Sequence, residues 1–193
     1  MNIKSRIFIL GVLLFAVAAT CTAQGRTDGQ NSVYLDFGVV PQHTGNNFAY
    51  SAKGGWSRVF GTKGFLGKFG VGYSNYEVGY INNTSIPFQR IHLDIMPGYS
   101  YVGLYPLMIN GYLGAYGALE IINNDNPMIK GKAENIIEST TNFTVGFTGT
   151  LELELNVLKN LSIVADITQY YDMNSKFSKA KYAVYGGIKY IFF

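Results

Sequence analysis

Few residues in this chain are of types that do chemistry, and their spacing suits almost none of the reactions they are known for. Its two histidines are His43 and His92. His92 stands between Arg90 and Asp94 at a spacing of two. Alternate residues of an extended chain share a face, so these three form one charged row, not a set of nucleophile, base and acid. His43 follows Pro41 closely and reads as a solvated loop residue. A lipid-modifying hydrolase or acyltransferase would need a Ser/His/acid constellation, and no Gly-x-Ser-x-Gly elbow occurs. The run Gly61-Thr-Lys-Gly-Phe-Leu-Gly-Lys68 has the outline of a phosphate loop. Phe69 follows Lys68, however, so the hydroxyl that would hold magnesium is missing. One cysteine, Cys21, and two distant histidines make no metal site. Glu152 and Glu154 are paired carboxylates, but two apart on a strand is what any charged face supplies. The chain is therefore expected to be no enzyme and to carry no cofactor and no metal.

The element that positions Glu152 and Glu154 explains them better. From Asn142 to Val157 the odd positions read Phe143, Val145, Phe147, Gly149, Leu151, Leu153 and Leu155, and the even positions are polar or glycine. A period of two over such a length is a β-strand with one wholly apolar face. It is longer than an ordinary globular strand and suits a tilted strand that crosses a bilayer. Arg at Leu153, near the bilayer midplane, is accordingly expected to cost more than Gln at Glu154.

The same pattern recurs. Strands are expected over residues 32–40, 47–59, 64–80, 88–102, 109–121, 142–157, 161–171 and 180–193. The phase slips in the third, where Tyr76, Val78 and Tyr80 take over the apolar register, and a bulge near Ser74-Asn75 is expected there. The connections alternate. Gly103–Pro106 and Leu158–Asn160 are short, whereas Gln42–Asn46, Ile81–Pro87, Asn123–Ser139 and Asp172–Lys179 are longer and polar. About eight strands, short turns at one end and long loops at the other describe an all-β, single transmembrane antiparallel up-and-down barrel.

Composition agrees. Only 14% of residues are charged, against 15% aromatic, with 23 glycines. A soluble domain carries about 25% charge. A tyrosine-rich soluble β-sandwich is the competing class. The net charge is +3 with the basic residues scattered, so no direct nucleic-acid binding is expected. No stretch of 18 apolar residues follows the N-terminal segment, so a membrane can be crossed only by a barrel.

Met1 to Ala23 reads as a cleaved Sec-type signal peptide. Lys4 and Arg6 precede an apolar stretch, Ile7–Ala19, and Cys21-Thr22-Ala23 offers small residues before Gln24. Ala18-Ala19-Thr20 makes a poor lipobox, so lipidation of Cys21 is the lesser reading. Two regions follow, residues 1–23 and a barrel over 24–193, in the outer membrane of a Gram-negative cell. The lumen face supplies a charge network of Arg90, His92, Asp94, Glu152, Glu154, Asp166 and Lys189. Lys68 and Lys181 join it, balanced also by Asp36 and Glu120. The chain ends in an aromatic strand, and Gly187, Tyr190, Phe192 and Phe193 fit the signal read by barrel-assembly machinery. Expected partners are thus that machinery and outer-membrane lipid.

Gly72-Tyr73-Ser74-Asn75-Tyr76, Ile86-Pro87, Gly111-Tyr112-Leu113-Gly114-Ala115, the 123–132 stretch, Thr150-Leu151-Glu152-Leu153-Glu154 and the terminal Gly-Ile-Lys-Tyr-Ile occur in a telling order. Over residues 65–193 the chain resembles the TraO family of conjugative-transposon transfer proteins from Bacteroidetes. That resemblance implies an exported component of a conjugation apparatus, without enzymatic activity, whose partners are other conjugative transfer proteins. A small lipid-modifying barrel enzyme and a stand-alone porin-like or adhesive barrel are the alternatives.

Overall fold

The computed structural model describes residues 26–41, 49–61, 63–79, 85–122, 140–174 and 179–193. The segment read as a signal peptide, with Cys21, lies outside them, as do His43 and the Asn123–Ser139 stretch. The eight strands are β1 (Asn31–Val39), β2 (Tyr50–Phe60), β3 (Phe65–Gly79), β4 (Ser85–Leu104), β5 (Leu107–Ile122), β6 (Thr140–Leu158), β7 (Leu161–Asp172) and β8 (Ala180–Phe192). Each pairs antiparallel with its sequence neighbours, and β8 closes on β1. Closure leaves no edge strand with unpaired amides, the condition for a sheet to cross lipid.

The register gives the barrel its shape. Hydrogen-bonded pairs lead from Tyr190 through Val33, Trp56, Phe69, Ile95, Ala115, Phe147 and Tyr171 to Ala180. The line returns to β8 ten residues from its start, which fixes the stagger. Strands in such barrels tilt about 40°, so each residue climbs roughly 2.5 Å along the axis. On this scale the outward side chains sort into levels. Phe60, Phe65, Tyr99, Tyr101, Tyr190 and Phe192 form an aromatic belt near the short turns. Tyr50, Tyr73, Tyr171 and Tyr182 form a second belt roughly 20 Å higher. Between them the wall is apolar, with Leu35, Phe37, Val71, Leu93, Ile95, Leu113 and Phe147 all exposed. In water such a surface would be untenable. A closed barrel with an apolar band about 25 Å tall between aromatic girdles is a membrane wall. The hairpins β3–β4 and β5–β6 extend beyond the upper belt, where Asn75, Gln89 and Thr141 replace the apolar residues.

Three expectations are corrected. There is no bulge at Ser74-Asn75. β3 runs in unbroken register against both neighbours from Phe65 to Asn75 and on to Gly79. Tyr76 stays on the lumen side and packs against Phe88 in a tilted pair with ring centroids 4.8 Å apart. The slip marks the point where the lumen itself becomes apolar, so hydrophobicity changes face while the strand does not. The register shifts fall at the turn end instead, between Tyr101 and Leu104 and between Asn156 and Leu158. Residues 85–87 belong to β4, and Asp172 is the last residue of β7 rather than of a loop. Both boundaries moved because β-pairing partners hold polar and proline residues that sequence reads as loop.

A fully hydrogen-bonded barrel resists detergent at room temperature. We expect heat-modifiable migration on gels after outer-membrane fractionation. Recovery in a detergent-free soluble fraction would refute the bilayer reading of the apolar band.

Candidate functional site

The lumen is where polar chemistry is concentrated. Its side chains come from alternate positions of all eight strands, opposite the apolar wall. At the turn end Lys68 Nζ donates to Glu152 Oε2 at 2.6 Å. Lys189 Nζ donates to Glu152 Oε1 and, at 2.7 Å, to Glu154 Oε2. Asn110 Nδ2 donates to both glutamates, each at 2.9 Å. Arg26, just ahead of β1, turns into the barrel and donates to Glu154 Oε2 at 2.6 Å. Burial works against the Arg26 charge, but Glu154 beside it holds the guanidinium above its ordinary pKa.

Above this cluster Lys53 Nζ donates to Asp166 Oδ1 at 2.8 Å and to Thr168 Oγ1 at 3.1 Å, with Asp36 3.9 Å away. The ammonium also lies 4.0 Å from the centre of the Tyr185 ring. His92 Nε2 and the Tyr170 hydroxyl are 3.0 Å apart, and Asp94 Oδ2 is 3.7 Å from the same nitrogen. Nearer the loops Arg90 Nη2 donates to Asp172 Oδ1 at 3.3 Å, its guanidinium 4.7 Å from both the Tyr116 and Tyr170 rings. Lys181 bridges Glu120 and Asp172. Val40, Ala49, Tyr76, Phe88, Ala183 and Tyr185 close this end as an apolar cluster.

All seven residues expected to line the lumen do so, each 4% exposed or less. The structure distributes them along the axis in four groups. Glu152, Glu154 and Lys189 meet directly. Asp166 meets Lys53, Arg90 meets Asp172, and His92 adjoins Asp94. Arg26, Lys53 and Asp172 were missed as members. Asp172 was legible, because the even positions Asp166, Thr168, Tyr170 and Asp172 continue one face. Arg26 lies outside any periodic run, so only the fold reveals its position.

The described lumen side chains are joined chiefly by ion pairs and hydrogen bonds. His92 bonds the Tyr170 hydroxyl rather than a serine, threonine or cysteine. Among the described residues, no three metal-ligating side chains come together. Lys68 of the phosphate-loop-like run is committed to Glu152, and Gly61 and Gly64, at φ of 70° and 86°, simply make the β2–β3 turn. No helix among the described residues is long and apolar enough to cross a membrane.

The C-terminal residues occupy distinct places. Tyr190 and Phe192 face outward, their rings 6.5 Å apart in the turn-end belt, and Phe193 is exposed just past the end of β8. Gly187 pairs with Asp36, and a Cβ there would run into the Asp36 carboxylate and the Leu35 carbonyl. Its place in the terminal pattern thus has a local packing cause. Deleting Phe192 and Phe193 is expected to lower the amount of assembled barrel and leave precursor in the periplasm. Unchanged surface levels would count against an assembly signal.

An eight-strand antiparallel barrel with an apolar wall, two aromatic belts and a charged lumen is a transmembrane barrel of the Gram-negative outer-membrane type. No protein-family model matches the chain, and no curated protein does. Among solved structures it is similar to the outer-membrane protein OprG of Pseudomonas aeruginosa, with a TM-score of 0.60 and 10% identity over 89% of this chain and 99% of that one. A major outer-membrane protein of Thermus thermophilus gives 0.60 and 13% over 86% and 100%. The attachment invasion locus protein Ail of Yersinia pestis, solved with the heparin analogue sucrose octasulfate, gives 0.53 and 13% over 86% and 100%. At these identities the likeness is one of fold.

Proposed function

We propose that this protein is a closed, non-enzymatic barrel of the outer membrane that acts through its rims as a component of a conjugative DNA-transfer apparatus. The observation that carries the closed, non-catalytic part is the lumen. Most of its cations and carboxylates pair with one another across the barrel, with Asp36 held only at 3.9 Å from Lys53, and eight strands leave an interior filled by side chains. Buried charge is tolerable only when paired, so this network favours one closed arrangement over an open pore. DNA does not pass through such a barrel. Contacts with other transfer proteins would be made by the loops or the turn-end rim. The transfer role itself is supported by the resemblance of residues 65–193 to the TraO family.

Two measurements test the two parts. In planar bilayers the purified barrel is expected to give no stable conductance steps, and steady single-channel openings would overturn closure. Deleting the gene in a donor is expected to lower transfer frequency, with restoration by complementation. His92→Gln is expected to leave transfer unchanged. Undiminished transfer from the deletion donor would remove the conjugation reading and leave a stand-alone adhesive barrel. Loss of transfer on His92→Gln with an intact barrel would favour the enzyme alternative.

A further inference from the structure

Two cavities, one on the wall and one at the turn-end rim, meet at one pair of rings. The larger, about 860 Å³, is an apolar groove on the membrane-facing wall. Pro97, Gly111 and Gly149 form its floor, Leu151 and Ile167 its side, and Tyr182 its far end in the upper belt. Side chains stand on every surrounding strand, so the glycines leave a furrow that the protein does not fill. A Cβ on Gly111 would meet nothing within 4 Å. The smaller cavity, about 610 Å³, lies at the turn-end rim, with the exposed Lys63, Tyr101 and Gly103 on its outer border and Arg26 and Ser100 on its lumen side. Phe65 and Tyr99 line both cavities, and their rings pack edge to face at 5.8 Å. Together the cavities make one amphipathic site, polar at the rim and apolar along the wall.

The charge outside the lumen at this end has one dominant sign. Among the described residues, Arg58, Lys63 and Lys159 are exposed there, against Asp28, whose Oδ1 is occupied by the Gly61 amide at 2.6 Å. Lys63 lies just beyond the aromatic belt, at headgroup depth. Tyr101 is half exposed and folds over Gly103, where a Cβ would stand 2.6 Å from its hydroxyl. Cations at headgroup level attract anionic lipid, each contributing independently of any pocket, and an aromatic belt marks that level.

We propose that this site holds an anionic phospholipid of the periplasmic leaflet. The headgroup phosphate sits at Lys63 and the Tyr101 hydroxyl, and one acyl chain passes the Phe65–Tyr99 pair into the Gly111–Gly149 groove. This rests on the barrel spanning a membrane with its termini on the periplasmic side, and not on the transfer role. A phosphate free in solution would use the rim but not the groove. A zwitterionic lipid would use the groove without needing Lys63.

Native mass spectrometry of the detergent-purified barrel, with phosphatidylglycerol and phosphatidylcholine as probes, separates these cases. Wild type is expected to retain one phosphatidylglycerol in preference to phosphatidylcholine. Lys63→Gln is expected to bind phosphatidylglycerol about fivefold more weakly, with phosphatidylcholine unaffected. Gly111→Leu, which fills the groove without a backbone clash, is expected to lose retention of both. Heat-modifiable migration confirms that each variant is folded, and Lys63→Gln carries the test should Gly111→Leu fail to assemble. Equal retention of the two lipids by wild type, or unaltered binding in the folded variants, would overturn the proposal. A dimer abolished by Gly111→Leu, with no lipid retained, would assign the groove to a second copy instead.

Discussion

Replacing Glu152 by Gln is expected to destabilise the barrel by about 3–5 kcal/mol, the range for breaking a buried ion pair by removing one partner. Glu152 is fully buried and accepts from Lys68, Lys189 and Asn110. Gln keeps the shape but removes the charge. Lys189 retains Glu154, whereas Lys68 is left beside the Tyr34 ring, 4.2 Å from its centre, as a poorly compensated cation. Urea unfolding in phospholipid vesicles measures the change. Adding Lys68→Met to Glu152→Gln is expected to recover part of the loss, since the stranded charge goes with its partner. A Glu152→Gln barrel within about 0.5 kcal/mol of wild type would mean that the cluster contributes nothing to stability.

Arg at Ile95 is expected to cost about 2–4 kcal/mol, the value for a cation on the lipid face at the bilayer midplane. Ile95 faces outward, is 66% exposed and lies midway along the register line between the two belts. Arg at Leu153 is expected to cost only about 0–1 kcal/mol. Leu153 faces outward too, but it pairs with Ile109 and Ala165 close to the turn-end belt, where a long cation reaches the headgroups. This reverses the sequence-based ordering of Leu153→Arg against Glu154→Gln. Glu154 is fully buried and serves Arg26, Lys189 and Asn110, so Gln there is now expected to be the more damaging change. Vesicle unfolding of the three variants checks the ordering. Equal cost at Ile95 and Leu153 would contradict the depth scale derived from the register.

Much of this barrel can be read from alternation alone. Phe143, Val145, Phe147, Leu151 and Leu153 against Thr144, Thr148, Glu152 and Glu154 define two faces whatever their neighbours are, because a strand sends successive side chains to opposite sides. The number of strands, the faces and the lumen position of Arg90, His92, Asp94 and Lys189 follow from that local rule. Where a residue's surroundings change along one strand, the rule misleads. Tyr76 looked like a slip of register because apolar residues normally mark the lipid side, yet the top of the lumen is apolar too.

What the sequence by itself determined is therefore the face of most strand residues and the sequence-adjacent pairing of strands. What only the tertiary structure decided is height and partnership. Depth in the membrane depends on the ten-residue stagger, a property of all eight strands closing together, and no single strand encodes it. That stagger carries Leu153 down to the belt and Ile95 to the middle, and it gathers Phe65, Tyr99, Gly111 and Gly149, from four strands, around one furrow. It also lets Arg26, 128 residues from Glu154 along the chain, finish the lowest ion-paired cluster. Ion pairs across a lumen join residues by barrel geometry rather than by sequence spacing.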